Sequence, residues 1–138
     1  MLKLLSFAIA LSSSLVVMSQ TEYDEKILGT WKGTISGGGL TEKALTVVIT
    51  SSNLEEGNCE GYSLVNNAGK TTFIGNLTVE ADMPIVDASE PTTSKKNGEF
   101  HLEFGCFTDN GIVSDMCCGT WISYDKTISR NIELWKEE

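Results

Sequence analysis

The strongest constraint in this chain is an alternation of apolar and polar residues with a period of two. In Thr30–Ile35, Trp31, Gly33 and Ile35 fall on one face, and Thr30, Lys32 and Thr34 on the other. Leu45, Val47 and Ile49 alternate with Thr46, Val48 and Thr50. Phe73, Gly75, Leu77 and Val79 oppose Thr72, Ile74, Asn76 and Thr78. Phe100, Leu102, Phe104 and Cys106 oppose His101, Glu103 and Gly105. Successive side chains on an extended backbone point to opposite faces, so each segment is a half-buried strand with one face that must be covered. Further strands are expected at Cys59–Val65, Met83–Ala88, Cys117–Tyr124 and Ser129–Lys136. Thr21–Ile27 is compatible with a helical turn, and no other segment carries a 3.6-residue period.

Turn-forming residues separate these segments at Gly37–Gly39, Glu56–Asn58, Asn66–Gly69, Ser94–Gly98, Asp109–Gly111 and Tyr124–Lys126. There is no fixed-length repeat and no linker, so the chain reads as one domain. The fold expected is all-β: an eight-stranded antiparallel up-and-down β-barrel, whose closure leaves no strand edge unpaired. An open two-sheet sandwich has the same periodicity. Turns short enough to join neighbouring strands favour the barrel.

Residues 1–19 read as a secretory signal peptide. Lys3 gives a positive start, Leu4–Leu11 and Leu15–Met18 are apolar, and Val17 and Ser19 suit cleavage before Gln20. Ser12–Ser14 interrupt a run already short of the ~20 apolar residues a membrane span needs. The expected mature protein, residues 20–138, is therefore a secreted, extracellular β-barrel domain without membrane insertion. Its formal charge, -9 for the whole chain, becomes one unit more negative without Lys3. Such a chain repels phosphate backbones, which argues against nucleic acid as a partner. Asn76-Leu77-Thr78 is an N-glycosylation sequon, making Asn76 a candidate for modification and an outward-facing residue.

Four cysteines, Cys59, Cys106, Cys117 and Cys118, remain in the mature chain, an even number that suggests two disulfides in a small secreted domain. Bridging the neighbours Cys117 and Cys118 would require a strained ring. In up-and-down order the turns after strands two, four and six share one rim, which gathers all four sulfurs at one end. Cys106 and Cys117 lie on the apolar parity of adjacent strands, so Cys106–Cys117 with Cys59–Cys118 is the favoured pairing. A single histidine and no Cys-x-x-Cys argue against a zinc site or any other metal.

Gly-Thr-Trp occurs twice, at Gly29–Trp31 and Gly119–Trp121. On a first strand it resembles the Gly-x-Trp opening of the calycins: lipocalins, fatty-acid-binding proteins and avidins. Cys106-Phe107-Thr108-Asp109-Asn110-Gly111 is similar to an avidin turn, Thr120-Trp121-Ile122 to the avidin Thr-x-Trp-Leu strand, and Asn131-Ile132 to its last strand. The resemblance implies a calycin-like barrel in which Trp31 plugs one end, with Arg130 stacked beside it from the last strand. It does not imply biotin binding. Gly33 stands where an Asn contact would be expected, and only Asp125–Arg130 occupies the place of the avidin Trp-Lys element.

No catalytic constellation is visible. His101 lies on the polar face of its strand with no nucleophile–base motif, and Glu99 and Glu103 share no face with an apolar pocket. Gly37–Gly39 lacks the Lys and Ser/Thr of a phosphate loop. The reading is a non-enzymatic binding protein without a cofactor. Its candidate ligand-binding wall is Trp31, Ile35, Leu45, Val47, Phe73, Leu77, Phe100, Leu102, Phe104 and Trp121, around a small, mostly apolar molecule. The alternative is a module that binds an extracellular protein or glycan through the rim loops Pro91–Asn97 and Gly37–Glu42, on a barrel filled by its own side chains.

Overall fold

The computed structural model describes residues 19–94 and 96–138. The expected leader therefore lies outside the described residues, except for Ser19. A short helix α1 (Gln20–Ile27) precedes eight strands: β1 (Gly29–Gly37), β2 (Leu40–Asn53), β3 (Asn58–Val65), β4 (Ala68–Glu80), β5 (Met83–Ser89), β6 (Gly98–Thr108), β7 (Gly111–Ser123) and β8 (Ser129–Lys136). Each strand pairs antiparallel with its sequence neighbour, and β8 pairs with β1 to close the barrel. All strands expected from the alternation are present, most of them longer by a few residues.

Inward residues form two unequal halves. Towards the end that carries the 54–57, 81–82 and 109–110 turns, the interior is solid. Trp31 and Phe104 meet edge to face with centroids 4.9 Å apart, and Leu77, Leu102, Val86, Cys117 and Leu134 surround them, all buried. Phe73 and Phe100 pack at 5.6 Å nearer the middle. At Gly61 an added Cβ would lie 2.2 Å from the Val48 carbonyl oxygen and 2.8 Å from the Phe73 ring, so only hydrogen allows this close approach of strands and ring.

Helix α1 stoppers the solid end. Ser19 caps it, its hydroxyl accepting from the Glu22 N–H. Asp24 accepts from the Ser52 hydroxyl at 2.9 Å and the Leu54 N–H at 2.8 Å, and the Tyr23 hydroxyl donates to Asp82 at 3.1 Å. The last carbonyls of a helix lack partners within it. Here Trp31 Nε1 donates to the Ile27 oxygen at 2.9 Å, and Lys136 Nζ donates to the Lys26 oxygen.

Two expectations require correction. The disulfide is Cys106–Cys118, and Cys59 and Cys117 are buried free thiols. The cause is a register shift between Phe104 and Cys106, where Gly105 has φ +149° and two steps on β6 face four on β7, from Val113 to Cys117. Cys106 therefore pairs with Val113 rather than standing near Cys117 in an unbroken ladder. Cys117 opposes Phe104 inside the barrel, while Cys118, opposite Glu103 and Glu133, lies on the outer row within reach of Cys106. Burial pushes the Cys59 thiol up to about 11, with Glu60 adding to the effect, and burial raises Cys117 as well.

The second correction concerns Arg130. Because β8 runs antiparallel to β1, its first residues lie at the rim away from Trp31. Arg130 pairs with Trp121 and places its guanidinium 5.4 Å from that ring centroid. Lys136, opposite Trp31 in the register, takes the cationic position over Trp31, also at 5.4 Å.

Candidate ligand-binding cavity

The other half of the barrel is hollow. Near the rim made by the 38–39, 66–67, 90–97 and 124–128 connections, the inward positions of several strands carry small polar residues: Ser63 on β3, Thr71 on β4 and Ser123 on β7. Side chains this short do not reach the barrel axis. A cavity of about 510 Å³ results, within the usual range for small-molecule sites. Its apolar wall is Ile35, Leu45, Val65, Phe100, Trp121 and Ile128. Four of the ten wall candidates from the sequence, Ile35, Leu45, Phe100 and Trp121, line this space. Trp31, Val47, Phe73, Leu77, Leu102 and Phe104 are equally buried but pack below it or beside it.

The polar groups of the cavity were not legible in the alternation. Glu90 follows β5 and is buried, and its Oε1 accepts from Trp121 Nε1 at 2.7 Å and from the Gly98 N–H at 2.9 Å. Burial raises its carboxyl above the ordinary 4.5, and the two hydrogen bonds, which favour the carboxylate, pull the other way. The Tyr124 hydroxyl donates to the Glu90 carbonyl, tying the β5–β6 connection to the β7–β8 connection. Asp125 is engaged in its own turn: Oδ1 accepts from the Ser123 hydroxyl, the Thr127 hydroxyl and the Thr127 N–H, which together hold its carboxyl at about 2.

Arg130 lines the same cavity, as do Lys96 and Asn97 from the β5–β6 connection. Trp121 thus receives Arg130 near its face and gives its N–H to Glu90, which fixes the indole from two sides. The signal for Arg130 was present in the sequence, since antiparallel order alone sends the start of the last strand to this rim.

His101 stands apart from the cavity, on the outer face. Its Nδ1 lies 2.6 Å from Asp87 Oδ1 and its Nε2 3.6 Å from Glu103 Oε1. The hydrogen bond with Asp87 raises its basicity, partly offset by desolvation. Asn76 is exposed on the outer face of β4. The β6–β7 tip carries Phe107 and Ile112, opposite each other and 72% and 54% exposed.

Comparison with known proteins gives no match: no family model, no curated sequence and no solved structure is significantly similar to the chain. The eight-stranded antiparallel closed barrel itself is compatible with a calycin-like architecture. No helix among the described residues is long and apolar enough to cross a membrane.

Proposed function

We propose that this protein is a secreted, calycin-like carrier or scavenger that holds a small, mostly apolar molecule in the hollow half of its barrel. One observation carries this reading: a cavity of about 510 Å³ with six apolar wall residues opens at one rim of an otherwise solid barrel. Burying apolar ligand surface there is worth roughly 25 cal/mol per Å² before the losses of association. The disulfide fits an oxidising compartment, and the exposure of Asn76 in its sequon is consistent with a glycan there in a eukaryotic secretory pathway. The test is titration with a panel of apolar ligands, followed by tryptophan fluorescence, because Trp121 lines the cavity. Saturable quenching or a blue shift that is lost on Phe100→Trp, which fills the space, supports the reading. No response across a broad panel overturns it.

The exposed Phe107–Ile112 pair favours a second reading, a protein-binding module. Its contact surface would then be the tip of the β6–β7 hairpin at the solid end, rather than the loops at the cavity mouth.

A further inference from the structure

We propose that the rim half of β4 is a docking edge for an extended segment of another protein, apolar and basic in composition, which pairs with it as an added strand. Strand β4 runs from Ala68 to Glu80, but β5 accompanies it only between Glu80 and Ile74, where Ser89 is the last partner. From Ala68 to Phe73 it has β3 on one side and, among the described residues, no strand on the other. Two residues explain why β5 stops. Pro91 has no N–H with which to continue a ladder. Glu90 gives its N–H to the Gly98 oxygen and its carboxylate to the Gly98 N–H, which satisfies the start of β6 and leaves the edge of β4 open.

The backbone groups on that edge can be named. Neighbouring residues of a strand turn their N–H and C=O to opposite sides. The Leu77 N–H donates to the Gly57 oxygen, on the β3 side, at 2.9 Å. The register is unbroken from Thr71 to Asn76, so Asn76, Ile74 and Thr72 turn theirs to the β5 side. Asp87 and Ser89 stand opposite Asn76 and Ile74, and no described residue stands opposite Thr72. Thr71-Thr72-Phe73-Ile74 favours an extended backbone and carries neither proline nor bulge, which makes it a template for strand addition. Lys70, which could guard the edge, is turned to Tyr62 on β3, its Nζ 4.2 Å from the ring centroid. A groove of about 460 Å³ lies between this edge and Pro91 and Thr92. Ile74, 66% exposed, and Tyr124 line it and suit an apolar side chain, while the net charge of -9 favours basic neighbours. A second copy fits less well, because its own 91–92 connection accompanies the same edge and meets the first.

The probe is an octapeptide of alternating valine and lysine, titrated into the mature protein and followed by amide NMR and hydrogen exchange. In the free protein the Thr72 amide should exchange fast, and saturating peptide should slow it at least about tenfold. A residue opposite Thr72 shares its outer face, so with valine toward the groove the valine amides form the new bonds. N-methylation of the valines should weaken binding about tenfold, and N-methylation of the lysines should not. Thr72→Pro removes the free donor at a position where an edge strand tolerates proline, and should also cost about tenfold in affinity. The methylated peptides provide the test on the parent protein if this variant does not fold. Protection of Thr72 without peptide overturns the proposal; if that protection grows with protein concentration, the occupant is a second copy. No change at Thr72 up to about 1 mM peptide, or equal losses for the two methylated peptides, overturns it as well. All of these outcomes leave the cavity reading standing.

Discussion

Trp121 donates its indole N–H to Glu90 across 2.7 Å, and the same carboxylate oxygen accepts the backbone N–H of Gly98. One buried acid therefore fixes a wall residue of the cavity and the start of β6. Its raised pKa has a definite consequence. An acid that is harder to ionise when folded makes the protein more stable in acid, and that contribution is lost as pH rises from the ordinary 4.5 through the folded value. Glu90→Gln keeps an acceptor for both donors and removes the ionisation. Its thermal midpoint should change less with pH across that window than that of the parent protein. Glu90→Ala strands both donors and should cost about 1–3 kcal/mol. Identical pH profiles for Gln and parent would show that Glu90 does not titrate as described.

The disulfide is checked by peptide mapping without reduction. A Cys106–Cys118 cross-link is expected, with Cys59 and Cys117 alkylated only after denaturation, because both thiols are buried and raised. The bridge closes a 12-residue separation within one hairpin, so Cys106→Ser with Cys118→Ser should cost about 2–4 kcal/mol by chemical denaturation. A map that joins Cys117 to another cysteine would contradict the β6–β7 register, which sets Cys117 opposite Phe104.

The divided interior predicts unequal costs of truncation. Phe104→Ala opens a void beside Trp31 in the solid half and should destabilise by about 3–5 kcal/mol. Ile128→Ala enlarges a space that already exists at the mouth and should cost about 1 kcal/mol or less. Similar losses at the two sites would mean that the cavity is filled in solution.

His101 contributes a pH dependence of opposite origin. Its basicity is raised chiefly by the hydrogen bond with Asp87, so its stabilising effect is complete below the ordinary 6.5 and disappears as pH rises through the folded value. The pair is exposed, so salt should weaken the effect. His101→Gln should flatten the stability profile above pH 6.5 in low salt, and histidine NMR titration should give a value above 6.5. A value at or below it would remove the prediction.

The strands were legible because barrel walls impose a strict two-residue period, and the turn at Asn66-Asn67 because asparagine tolerates positive φ. The 81–82 turn was not, since Ala81 and Asp82 adopt positive φ without glycine or asparagine to announce it. The cysteine pairing failed at one irregularity: between Phe104 and Cys106 the register slips by two residues of β7, which parity along an unbroken ladder does not foresee. The division into solid and hollow halves was also beyond alternation. Parity tells which way a side chain points, but whether it meets another across the axis depends on its length and level. Ser63, Thr71 and Ser123 leave a gap that only the assembled register reveals.

That division separates two duties that compete in most small globular chains. Residues around Trp31 fill the stoppered end, and Trp121 lines the open cavity. If the cavity binds a ligand as proposed, substitutions at apolar mouth positions such as Ile128 would alter its selectivity without disturbing the packing around Trp31.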